Sequence, residues 1–220
     1  ALLHCILTLE KRDLFKNWSI ILSIVTFMLS VSGTFLVRSG ILNSVHTFAN
    51  DPSRGIYILI FLFVLIFISF VIFFIFENKN LENKKEIFFL SKETSVLINN
   101  WFMIYFLSVV LIGTVYPIFL DVITSEKISV GPPFYNKLLI PFLIPFFLFM
   151  SVGPSMSLIK TNLKFKIIYI YYFLLTLAAT IITIYFFSQK NFLIIILIFS
   201  LFFLSIKTIT NFLKNNTNHA

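Results

Sequence analysis

Six stretches of this chain are apolar for about as long as a bilayer is thick. They run Trp18–Leu36, Ile56–Phe76, Val96–Phe119, Leu138–Ile159, Ile167–Phe187 and Phe192–Ile209. Crossing roughly 30 Å of hydrocarbon takes about 20 helical residues. In lipid the backbone must satisfy its own hydrogen bonds within each segment, so the runs are expected to be helices. A seventh, partial helix is expected to end near Thr8. The fold class expected is all-α, a polytopic transmembrane bundle of six full helices plus the end of a seventh. Composition agrees: 59% of residues are hydrophobic, 12% are charged, and Phe alone occurs 30 times. A soluble domain would expose much of that surface.

The net charge of +8 could suggest nucleic acid. The Lys and Arg residues fall in short segments between apolar runs and not on one continuous face, which excludes a nucleic-acid partner and leaves membrane lipid as the surroundings. Positive charge also orients the bundle. Lys11, Arg12, Lys16, Lys79, Lys84, Lys85, Lys92, Lys160, Lys164, Lys166, Lys207 and Lys214 share one side, and Arg38, Arg54, Lys127, Lys137 and Lys190 share the other. The richer set belongs on the inner side, the cytoplasm or a mitochondrial matrix. The chain then reads as one membrane domain over residues 1–220, part of a larger protein. An outer loop spans 37–55, a charged inner loop 77–93 and a second outer loop 120–137. The Lys and Glu residues of Glu77–Glu93 suggest a solvated linker.

The 37–55 loop carries more chemistry than a turn needs: Arg38, His46, Asp51 and Arg54. An imidazole there is either solvated or a ligand. Arg38 and Arg54 are cations that can meet propionates or another carboxylate. Arg38 can equally be a snorkelling helix end. Asn43, Asn50 or Asp51 can orient the imidazole, although Asp51-Pro52 reads first as a helix start. His4 lies within the partial helix, where an ionisable group is costly and has a partner inside a bundle. It is either hydrogen-bonded to another helix or an axial ligand for haem iron. Cys5, the one cysteine, points about 100° away from His4 and reads as packing.

The remaining motifs shape the scaffold. Gly113-Thr-Val-Tyr-Pro117 suggests a kink. Pro141, Pro145 and Pro154 suggest a broken helix beside a cavity. Phe134 and Tyr135 of Gly131-Pro-Pro-Phe-Tyr135 are either an interfacial aromatic belt or a wall for a flat ligand. No paired carboxylates, Ser-His-Asp arrangement or Gly-rich phosphate loop occurs. His219 sits in a polar tail.

Several of these motifs resemble one family. Ala-Leu-Leu-His at the start, Gly-Thr-Phe-Leu-Val-Arg-Ser-Gly at 33–40 and Ser-Val-His-x-Phe-Ala-x-Asp-Pro-x-Arg-Gly at 44–55 are similar to CcmF, the haem lyase subunit of cytochrome c biogenesis. Ile-Ser-Val-Gly-Pro-Pro-Phe-Tyr-Asn at 128–136 and Val-Gly-Pro at 152–154 extend the likeness to about residue 166. The resemblance implies a multi-pass protein of a bacterial inner membrane or a mitochondrial inner membrane. It implies two haems: a substrate haem at the outer face, delivered by a haem chaperone, and a b-type haem in the membrane. The substrate haem is joined to the CxxCH thiols of apocytochrome c, which thiol-handling partner subunits present. His46 matches an outer axial ligand and His4 a membrane ligand.

Three parts of the family pattern are missing. A tryptophan-rich loop and a second outer histidine should lie upstream, and a second membrane histidine should lie downstream. The chain is therefore expected to supply half of each haem site and not to act alone. The competing expectation is a transporter of haem or a small solute, which proline-broken helices would suit.

Overall fold

The computed structural model describes residues 1–38, 52–76, 86–124, 128–161 and 167–217. Its elements are helices: α1 (Leu2–Arg12), α2 (Lys16–Arg38), α3 (Pro52–Phe76), α4 (Lys92–Thr124), α5 (Pro132–Val152), α6 (Ile167–Phe187) and α7 (Phe192–Thr217). A 3-10 turn, Gly153–Ser155, follows α5. Six of the helices, α2 to α7, are long and apolar enough to cross a membrane. The protein is thus an all-α, multi-pass membrane bundle, with α1 as the additional short helix. The chain divides into two compact units, Ala1–Glu86 and Ile87–Ala220.

In the first unit α1 packs on α2, and α2 on α3. The chain reverses between α1 and α2 within three residues. Asp13 caps α1 in the left-handed region (φ 53°), and its N–H reaches the Leu9 carbonyl at 2.7 Å. Phe15 also has positive φ, 65°, a conformation unfavourable for a bulky side chain that the tight reversal imposes. Lys11 and Arg12 fill the last turn of α1, where cations oppose the negative helix end. Helix α3 is apolar all round and largely exposed, as lipid contact requires.

In the second unit α4 packs on α5, α5 on α7 and α7 on α6, so α7 lies between α5 and α6. Small hydroxyl residues line the α6–α7 contact. Thr176, Thr180 and Ser200 are buried, and each hydroxyl donates to a carbonyl of its own helix at 2.7–2.8 Å. Small side chains let membrane helices approach closely, and back-bonding removes the cost of burying the hydroxyl. Between α4 and α5 the contact is aromatic. Phe146 is buried, with its ring 5.7 Å from that of Phe102 and 5.3 Å from that of Phe106.

One expectation about this unit is corrected. Pro141 and Pro145 do not break α5, which runs unbroken from Pro132 to Val152. Neighbouring contacts hold the helix: the Tyr105 ring lies 4.2 Å from that of Phe142, and its hydroxyl donates to the Leu138 carbonyl at 3.0 Å. The break comes only at Gly153-Pro154, so aromatic packing occupies the stretch where a cavity was expected. Helix α4 carries Pro117 in its interior and runs on to Thr124.

The charged linker also ends differently from its reading. Glu93 is not solvated: it is 1% exposed, in the first turn of α4. A carboxylate is favourable beside the positive helix start. Ser91 opens that turn, its hydroxyl accepting from the Thr94 N–H at 3.2 Å. The segment after α5 closes over it, through Lys92 N–H to the Ser157 carbonyl (2.9 Å) and Thr161 N–H to the Leu90 carbonyl (2.7 Å).

Candidate functional site

The candidate residues all fall in the first unit, but not at one level. His4 lies in α1, eight residues before its last residue, about 12 Å along the helix from the α1–α2 reversal. Arg38 closes α2, 23 residues long, about 34 Å from the same reversal. Arg54 stands in the first turn of α3. Since α2 and α3 are packed neighbours joined by residues 39–51, Arg38 and Arg54 flank the same end of the hairpin. Arg38 is half-buried and Arg54 exposed. His46 lies outside the described residues, as do Asn43, Asn50 and Asp51.

The face that His4 presents follows from helical spacing. Cys5 and Thr8, three apart, form the buried stripe of α1, opposite the buried Ser19 and Leu22 of α2. Cys5 is fully buried, in agreement with its reading as packing. Thr8 donates its hydroxyl to the His4 carbonyl at 2.9 Å. His4 itself falls roughly 40° beyond Thr8 around the helix. It is exposed there, beside Leu3 and Leu7, which are 76% and 52% exposed. The His4 position therefore lies at the edge of the α1–α2 contact, on the exposed side of Thr8.

Haem suits these residues chemically. A neutral imidazole supplies one axial bond, and two exposed leucines supply apolar surface for a porphyrin face. The chain has three histidines, His4, His46 and His219. Among the described residues no group of three or more His, Cys, Asp or Glu could hold a bare metal ion.

Of Phe134 and Tyr135, the second is engaged in packing between α4 and α5. Both belong to the first turn of α5, which opens with Pro132 and Pro133 after Gly131. Tyr135 turns inward onto Gly113 of α4. Sequence reasoning missed one residue. Lys207 was grouped with the loop cations, yet it lies inside α7, buried against Tyr169 and Tyr172. The available signal was a lysine interrupting an apolar run, two residues before its expected end.

The fold thus defines a multi-pass α-helical membrane protein with an imidazole on the short helix that precedes its first span. Comparison with known proteins narrows that class. The cytochrome c-type biogenesis protein CcmF of Pseudomonas aeruginosa is 40% identical over 153 residues, covering 70% of this chain and 23% of that protein. CycK of Rhizobium meliloti is 42% identical over 157 residues, 71% of this chain and 23% of its own length. NrfE of Haemophilus influenzae, also named a cytochrome c-type biogenesis protein, is 34% identical over 155 residues, 70% of this chain and 24% of its own. No family model and no solved structure matches. The chain belongs to the CcmF family, and it spans about a quarter of the length of the curated relatives it matches.

Proposed function

We propose that this chain carries part of the haem-handling core of a cytochrome c maturation protein. The observation that carries the reading is the 40% identity to CcmF, spread over 153 residues of the chain. In this account His46 is an axial ligand to substrate haem at the outer face, and Arg38 and Arg54 contact its propionates. His4 is one axial ligand to a b-type haem within the membrane. A haem held there supplies a one-electron couple that keeps the substrate iron reduced.

The residues suit attachment chemistry that needs alignment more than acid or base. Each attachment forms one C–S bond, consumes one vinyl double bond and moves the thiol proton to the neighbouring carbon, with no leaving group. Holding thiol and vinyl together supplies most of the rate. Bidentate Arg–carboxylate contacts fix the orientation of the porphyrin plane. Separate levels for His4 and the Arg38–Arg54 end support two haems and not one. A haem chaperone, apocytochrome c and its thiol-handling subunits are the partners, and the location is a bacterial or mitochondrial inner membrane. The transport reading loses its main support, since α5 continues through Pro141 and Pro145.

The test is complementation. A strain lacking its CcmF is supplied with the intact parent protein carrying His46→Ala, and cytochromes c are measured by haem staining. The account expects covalent haem to be lost while the protein still accumulates in the membrane. Normal cytochrome c levels would overturn it.

A further inference from the structure

We propose that Lys207 is the anion-binding residue of an acidic phospholipid headgroup site at the inner end of α6 and α7. Lys207 is 6% exposed, inside the apolar span Phe192–Leu213. Its Nζ lies 4.6 Å from the ring centre of Tyr169 and 5.1 Å from that of Tyr172. Two aromatic faces hold the ammonium by cation–π attraction but accept none of its three N–H groups in the manner of a carboxylate. Among the described residues Lys207 has no ion pair.

The surroundings add positive character. Tyr169 and Tyr172 belong to the first two turns of α6, so the ammonium lies beside the start of a helix with no acidic residue in its first turn. A cation beside the positive end of a helix is unfavourable unless an anion sits between them. Helices α5, α6 and α7 supply no such anion: from Ile128 to Ala220 there are seven lysines and no Asp or Glu, and Glu93 of α4 forms no ion pair with Lys207. The counter-charge must therefore come from outside these three helices.

A phosphate group has the required chemistry: negative charge, several acceptor oxygens, and a fit to helix N–H groups and lysine alike. A lipid phosphodiester is favoured over free phosphate by depth. Lys207 lies within the apolar span Phe192–Leu213, six residues before its end, a level at which the phosphodiester of a lipid is closer than bulk solution. Positive charge assigns this end to the inner leaflet, and basic pockets between membrane helices on that side take acidic headgroups. Tyr169, 38% exposed, keeps one side of the cage open to an approaching headgroup.

Native mass spectrometry of the full chain in detergent tests this, with phosphatidylglycerol, phosphatidylcholine or inorganic phosphate added in turn. The unaltered chain should retain phosphatidylglycerol in preference to phosphatidylcholine. Lys207→Gln should weaken that retention about five-fold, the effect of one basic residue near the surface. Lys207→Arg should preserve it, and Lys160→Gln and Lys190→Gln should leave it unchanged. Should the Gln variant misfold, as judged by circular dichroism, Lys207→Met keeps the stem and removes the charge. Equal retention by the charge-removed variant overturns the proposal. Displacement of the lipid by inorganic phosphate overturns the lipid assignment and gives the site to free phosphate.

Discussion

The Tyr135 hydroxyl occupies the space a side chain at Gly113 would need: a Cβ built on Gly113 would lie 2.6 Å from that oxygen and 2.9 Å from the ring carbon bearing it. This contact joins α4 to the first turn of α5. It explains why Gly-Thr-x-Tyr-Pro starts with glycine, since the facing tyrosine ring leaves no room for a Cβ.

Gly113→Ala should therefore destabilise the second unit by about 1–3 kcal/mol, the cost of overpacking. Tyr135→Ala should remove most of that penalty, so the double variant should be clearly non-additive. Thermal unfolding of the four proteins in detergent checks it. Additive losses would show that the two residues do not share this space.

Tyr105 supports the proline-bearing stretch of α5 from the side. Tyr105→Phe keeps the ring against Phe142 and removes only the 3.0 Å bond to the Leu138 carbonyl. The expected cost is ~1 kcal/mol, seen as a lower midpoint of unfolding with unchanged helicity. A loss of helicity would mean that the ring contact, and not the hydroxyl, depends on this residue's polarity.

Cys5 reports on the α1–α2 contact because it is the chain's one cysteine and is fully buried. Maleimide labelling in mild detergent should be slow and should become fast once the chain is unfolded in strong denaturant. Labelling at the same rate in both conditions would mean that α1 does not pack on α2.

Much of this structure is legible in the sequence, and the reasons are physical. The six spans are visible because lipid demands a long apolar helix, whatever its neighbours do. Cys5 could be assigned to packing because neighbouring residues on a helix point in different directions. The prolines of α5 were misread because propensity describes an isolated helix, whereas Tyr105 and Phe106 of α4 supply support from another element. Glu93 and Lys207 were misread for a related reason. Charge pattern locates a residue near a membrane face but cannot say which side chains fold over it. Arg38 and Arg54 were legible as cations near one loop, and the hairpin places them at one end. The exposed position of His4 could not be read, because it depends on which side of α1 meets α2.

The central claim is that His4 ligates a haem within the membrane, and one spectrum tests it most directly. The intact parent protein, purified from membranes with and without His4→Ala, is compared by visible absorption before and after reduction. The account predicts a b-type spectrum with two imidazole ligands in the unaltered protein, and its loss in the variant at equal protein yield. An unchanged spectrum in His4→Ala, or an intact parent isolated without pigment, would contradict it.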